Sequence, residues 1–419
     1  MVFLCLKTPS KLQGVVTEFQ STIEQDGSIT LPDDNVMIVT PNTSQSIRTV
    51  TIASSGKYVP LPFLNALLAR TPQIKEFHFT DNAAYGHCYF PPQAGRNISD
   101  EAKANLTHLE TLNVSESNVD PAGLLELLQS SNNYVSLNLS FQALHNGHLR
   151  EISRNPSLTH LNLHFLANTG EEALDFRVLS QLRNLTHFVA PKRISKDDLI
   201  AIIEANPNLQ ELDLSNCYEL EINPVLEEIA EKLHSLRSLK LDSASKVSRF
   251  AFMKLIDKCP ALTELTIPGI SVKRQANLTP EDIAADKMTK EALIDALNIL
   301  KDRRQLKVLE LNNTKLTDDI LSIIASIPSL TNLSISFRSY EDSKLTEAGL
   351  LHLQQLINLE TLDLDGRSSV TESVLAGVAN HCPKLRTLYM NRDWWNMVRE
   401  EGQHYSRFKQ RFTKAARQI

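Results

Sequence analysis

The chain has 419 residues, 42% hydrophobic and 22% charged, with 13 Gly and 18 Pro, a composition that excludes a largely disordered protein. Its formal charge of −6 is uneven: residues 402–419 carry Arg407, Lys409, Arg411, Lys414 and Arg417 without an acid, a tail of +5 that leaves −11 on residues 1–401. An acidic body argues against nucleic acid as a generic partner, because phosphate binding needs a basic surface to displace counterions.

No stretch approaches the ~20 apolar residues of a membrane helix, and the apolar run in MVFLCLK is too short for a secretory signal. The expectation is a cytoplasmic monomer with no stable membrane insertion. Cys5, Cys88, Cys217, Cys259 and Cys382 are widely spaced and form no CxxC pair, which favours reduced thiols over a disulfide framework or a zinc site.

In chain order, residues 1–46 hold short β-like runs broken by Pro9, Pro32 and Pro41, and are predicted to form an N-terminal cap over an otherwise open sheet edge. From residue 47 to residue 391 one pattern dominates, clearest in LQELDLSNC (Leu209 to Cys217). Its LxxLxL spacing recurs in units beginning at Ile47, Ile74, Leu109, Tyr134, Leu158, Leu185, Leu209, Leu236, Leu262, Leu306, Leu330, Leu359 and Leu385. So short a segment cannot bury three leucines alone. The copies must stack side by side as one elongated repeat domain.

Between these segments lie runs with helical periodicity, including residues 121–131, 196–206, 249–259 and 290–300, each with apolar residues, chiefly Leu or Ile, at i, i+3 and i+4. Asn206-Pro207, Cys259-Pro260 and Cys382-Pro383 stand two residues before the next unit, and proline there marks the passage from helix to strand.

The repeat of about 26 residues, the CP-x-L turn in KCPALTEL and HCPKLRTL, and the Cys of LDLSNC resemble the cysteine-containing and ribonuclease-inhibitor-like leucine-rich repeats, the former best known from F-box proteins. The resemblance covers residues 47–391. It implies an α/β fold, a right-handed curved solenoid with parallel strands on the concave face and helices on the convex face, and it names no ligand.

Two units are overlong. The insertion Asp81 to Asp100 carries Tyr85, Tyr89 and Phe90 around Pro91-Pro92, and the insertion Pro268 to Thr289 is polar; both follow a strand, where rim loops bind partners. The aromatics make the first the better candidate. Residues 392–419 place Trp394, Val398, Tyr405, Phe408 and Phe412 near one helical face, which predicts a C-terminal helical cap with a basic tail.

In LxxLxL the leucines point inward and the intervening residues face solvent. Those rows are small and polar in the early repeats and acidic from Glu211 onward. His160, Asn162, His164, His187, Glu211, Asp213 and Asp242 are predicted to form a His and carboxylate patch. One reading makes His160, His187 and Glu211 metal ligands; the favoured reading makes the whole patch a hydrogen-bonding surface for a protein partner.

No HExxH, GxSxG or GxxxxGK[ST] motif is present, so neither catalysis nor a cofactor is expected. The predicted function is a non-catalytic protein-interaction scaffold whose partner carries basic residues at the acidic contact. The alternatives are a substrate receptor of a ubiquitin ligase, against which residues 1–46 hold no convincing F-box, and a bacterial effector secreted into a host cell.

Overall fold

The structure, a computed structural model, describes residues 48–390 except 55–64, 66, 70, 82–87, 90–97, 116, 120, 169–172, 216, 242–246, 270–287, 338–344 and 368; before residue 48 it describes the strands Val2–Thr8, Lys11–Val16, Thr22–Ile23 and Ile29–Thr30. The chain forms two compact units, Met1–Leu209 and Gln210–Ile419.

In the first unit, Val2–Thr8 pairs antiparallel with Lys11–Val16 on one side and with Thr49–Ser54 on the other. From Thr49 every pairing in this sheet is parallel: Thr49–Ser54, Glu76–Asp81, Thr111–Asn113, Ser136–Asn138, His160–Asn162 and His187–Val189 succeed one another in chain order. The second unit repeats the scheme with Glu211–Leu214, Ser238–Leu241, Glu264–Thr266, Val308–Glu310, Asn332–Ser334, Thr361–Asp363 and Thr387–Tyr389. Each predicted unit thus carries a strand beginning two residues after its first leucine position. Helices join most successive strands, giving a leucine-rich-repeat α/β architecture.

The register explains why the leucines repeat. Leu137 stands opposite Leu161, and Leu212 opposite Leu239, so like positions form rows with neighbours about 4.8 Å apart. Leu209, Leu212 and Leu214 are at most 1% exposed, and Leu199, Ile202 and Ile203 of the helix Lys196–Ala205 are fully buried. Each such side chain contributes about 1.5–3 kcal/mol of burial free energy. A single unit cannot capture that; a stack can.

Helix starts are written locally. The side-chain oxygens of Ser99, Ser195, Ser248 and Thr289 accept from the main-chain N–H three residues on, at 3.1–3.2 Å, each cap worth about 1 kcal/mol.

The turn into the next strand depends on the buried residue before proline. Asn206 donates to the carbonyls of Leu182 and Ile202 and accepts from the Leu185 N–H. At the equivalent places the thiols of Cys259 and Cys382 donate to the carbonyls of Leu233 and Leu353, at 3.7 and 3.6 Å. The CP cysteine therefore satisfies a carbonyl of the preceding repeat, as asparagine does elsewhere. Burial pushes the Cys259 thiol up to about 12, and Cys217, Cys259 and Cys382 are all buried thiols.

The expected C-terminal helix over 392–419 and most of the second insertion, residues 270–287, lie outside the described residues. Within the first insertion, Cys88–Tyr89 forms a short strand parallel to Ser117–Asn118. Among the described residues no helix is long and apolar enough to cross a membrane.

Candidate functional site

With helices covering one side of each sheet, the residues between the leucines form its other face. In the first unit that face presents Thr111, Asn113, Ser136, Asn138, His160, Asn162, His187 and Val189, half-buried or exposed, with no lysine or arginine among them. The asparagines close their strands. Asn113 Oδ1 accepts from the Ser115 N–H at 3.0 Å, Asn138 Oδ1 from Ser140 N–H at 3.2 Å, and Asn162 Oδ1 from His164 N–H at 2.9 Å. These are Asx turns, in which a side-chain oxygen serves the N–H two residues on. The bond fixes which amide atom is which, so each Nδ2 points away from its own turn.

His160 and His187 occupy equivalent positions of paired strands, and their rings stack with centroids 3.9 Å apart and planes 12° from parallel. Thr159 Oγ1 donates to the Val135 carbonyl, so it accepts from His160 Nδ1 at 2.7 Å; Thr186 Oγ1 donates to the Thr159 carbonyl and accepts from His187 Nδ1 at 2.8 Å. Both imidazoles therefore carry their proton on Nδ1 when neutral. Parallel rings do not converge on one ion. Among the described residues no group of three His, Cys, Asp or Glu is placed to hold a metal.

His164 belongs to a different cluster. Its ring meets Phe165 edge-on at 4.3 Å and Phe141 at 6.1 Å, and the two phenyl rings lie 5.2 Å apart. Phe141 and Phe165 are 47% and 38% exposed, and both have left-handed backbones, with φ of 62° and 49°. Each stands two residues past the last leucine of its strand. At that same place Gly269, Asn313 and Gly366 also have positive φ, from 56° to 74°. Glycine and asparagine suit this conformation and phenylalanine does not. The neighbouring repeat locks the turn: the N–H of Phe141 donates to the His164 carbonyl at 2.9 Å, as that of Asn313 donates to Ser336 at 2.8 Å.

In the second unit the corresponding face is charged. Glu211 is exposed; Asp213 closes its strand by accepting from the Ser215 N–H at 2.8 Å and forms an ion pair with Lys240 at 3.7 Å. Glu264 accepts from Ser238, and Asp363 accepts from both the Asp365 N–H and Ser334 Oγ. Behind this face lies Arg367, 5% exposed, which donates through Nε to the Ile335 carbonyl and through Nη2 to the Thr314 carbonyl; burial lowers its pKa to about 10, so it remains charged at neutral pH.

The predicted patch is thus divided. His160, Asn162, His164 and His187 belong to the first unit, Glu211 and Asp213 to the second. Asp242, Tyr85 and Phe90 lie outside the described residues, and Tyr89 is placed only as part of the short strand Cys88–Tyr89. Phe141 and Phe165 lie outside the LxxLxL positions and are not singled out by that spacing. A signal was present: LNLSF and LNLHF set Phe where PG, NN and DG stand in other repeats.

The strand–helix repeats place the chain in the class of leucine-rich-repeat folds. No family model matches it. The chain is similar to a Caenorhabditis elegans protein named "Putative RNA-binding protein", at 29% identity over 155 residues, and the match spans 33% of this chain and only one fifth (20%) of that relative's length. Among solved structures it is similar to the internalin InlF from Listeria monocytogenes, with a TM-score of 0.46, 16% identity, and coverage of 85% of this chain and 91% of that one. It is also similar to the complex of Rad7 and Elc1 from yeast, with a TM-score of 0.46, 16% identity, and coverage of 81% and 72%.

Proposed function

We infer that the protein is a monomeric, non-catalytic scaffold that holds a protein partner on the helix-free faces of its strands. The observation that carries this reading is rigidity. Asn113, Asn138, Asn162, Asp213 and Asp363 are each pinned by an N–H of their own turn, so a partner meets polar groups that are already ordered and little entropy is lost on contact.

Two observations weigh against other classes. The hydroxyl–imidazole pairs Thr159–His160 and Thr186–His187 commit the hydroxyl proton to a main-chain carbonyl, so neither threonine is activated as a nucleophile by the imidazole beside it. The resemblance to a protein named for RNA binding raises that alternative here. The described face positions from Thr111 to Val189, however, include no lysine or arginine to meet a phosphodiester backbone, and protein is favoured over RNA.

Where a partner meets the second unit, Glu211, Glu264, Glu310 and Asp363 favour Lys or Arg on its side. Affinity capture with the wild-type chain and with Glu211→Lys/Asp213→Lys tests this. A protein captured by the wild type and weakened at least tenfold by the charge reversal is expected. Equal retention by both removes the acidic contact, and exclusive capture of RNA overturns the scaffold reading.

A further inference from the structure

The phenylalanine pair and the asparagines of the first unit are left unexplained by a general scaffold role. Asn113, Asn138 and Asn162 face one another in register across three paired strands, which spaces them about 4.8 Å apart. Each Oδ1 is occupied by its own turn. Among the described residues none accepts from their Nδ2 groups, so the row offers hydrogen-bond donors to whatever lies on it.

At the C-terminal end of the same strands stand Phe141 and Phe165, exposed and held in a backbone conformation that glycine or asparagine adopts at the same place in other repeats. Stability alone would select those residues here too. Two exposed aromatic rings held in that conformation against its residue preference point to a role in contact.

Resting on the scaffold reading, we propose that this strip takes an extended segment of a protein partner, whose carbonyl groups accept from the Nδ2 atoms of Asn113, Asn138 and Asn162 and one of whose apolar side chains packs across Phe141 and Phe165. The occupant is set by what the strip offers: donors without charge, beside an apolar platform. A neutral row neither attracts a polyanion nor selects a polycation, and main-chain carbonyls are the neutral acceptors every extended peptide carries. An apolar anchor seated on a rigid aromatic pair surrounded by polar groups is the arrangement in which a few residues dominate binding.

The second unit supplies the isosteric control. Asp213 and Asp363 close their strands with the same Oδ1 contact that asparagine uses in the first unit. Asn138→Asp/Asn162→Asp therefore keeps the turns and removes the donors, while Phe141→Asn/Phe165→Asn keeps the turns and removes the platform.

The full-length chain is used to select from a random 12-residue peptide library displayed on phage, and the dissociation constants of the selected peptides are read by fluorescence anisotropy beside a labelled U20 oligoribonucleotide. Expected are peptides with a Leu, Phe or Trp anchor whose affinity falls at least tenfold with either double variant and on replacing the anchor by Ala. Both variants should melt within about 2 °C of wild type. Selected peptides that bind both variants within threefold of wild type overturn the strip and leave the scaffold reading standing. A library yielding no binder overturns it as well. U20 binding that either variant weakens overturns both, in favour of RNA.

Discussion

The two units bury the same leucines in the same register and present different surfaces. On the first, the position between the last two leucines includes Asn113, Asn138 and Asn162 in succession; on the second it includes Asp213, Lys240, Glu310 and Asp363. Asparagine and aspartate do the same structural work, since one oxygen closes the strand end in either case. What changes is the other atom, an N–H donor in the first unit and a carboxylate oxygen in the second. The turn after the strand differs in the opposite sense: the second unit meets its left-handed backbone with Gly269, Asn313 and Gly366, while the first holds Phe141 and Phe165 there. Residues that only maintain the repeat converge on the conformationally cheapest choice. The first unit departs from that choice where its side chains are exposed.

The comparison breaks most sharply if the cores are not equivalent. Leu161→Ala in the first unit and Leu212→Ala in the second remove side chains 2% and 1% exposed, and each is expected to destabilise its unit by about 2–5 kcal/mol in urea unfolding. A cost below about 1 kcal/mol at either site would show a core that does not close there.

Acid should distinguish the units next. The helix Asn146–Ser153 begins on two imidazoles: His145 Nδ1 accepts from the Gly147 N–H, and His148 Nδ1 accepts from the His145 N–H while its Nε2 donates to the Pro121 carbonyl. The two bonds accepted by Nδ1 need the neutral ring, whereas the donation from Nε2 survives protonation. Burial, the largest cause, and the adjacent His145 lower the His148 pKa to about 4, against 6.5 when unfolded. Between those values the unfolded chain binds the proton and the folded chain does not, so stability falls as pH drops from about 6.5 to about 4. The full effect is about 3 kcal/mol. His148→Gln should flatten this dependence in urea titrations at pH 7 and pH 4.5; an unchanged slope would show that other groups carry it.

Smaller effects sharpen the comparison. The Asp213–Lys240 pair has both partners partly exposed, so Lys240→Ala should change stability by less than about 1 kcal/mol. A larger loss would mean that the charged face is structural. Cys259, buried and with its thiol pushed up to about 12, should resist iodoacetamide in the folded protein and react on unfolding. Rapid labelling of the native chain would show a turn that opens.

The strands were legible because burial imposes a strict spacing: LxxLxL fixes which residues face inward, and every strand begins two residues into its unit. Several helix starts were equally local, written as Ser or Thr before an apolar run, as at Ser195, Ser248 and Thr289. The role of Asn162 and Asp213 was not legible, because their spacing places them on the surface while their oxygen is turned back to the main chain. The shared tautomer of His160 and His187 depends on carbonyls 24 and 27 residues before the threonines that hold them, Val135 and Thr159. Pattern reading also merged His160 with His164, which lie in one repeat and join different clusters. Phe141 and Phe165 were hidden because aromatic residues near a strand end read as core; their exposure comes from a backbone angle that only comparison between repeats reveals.

The central claim, that binding occurs on the helix-free face and in the first unit on its neutral strip, is most directly tested by hydrogen exchange of the full-length chain with and without a captured protein partner. Slowed exchange confined to residues 111–115, 136–141 and 160–165, with the helices Pro121–Gln129, Asn146–Ser153 and Lys196–Ala205 unchanged, is the predicted result. Slowing confined to those helices would contradict it.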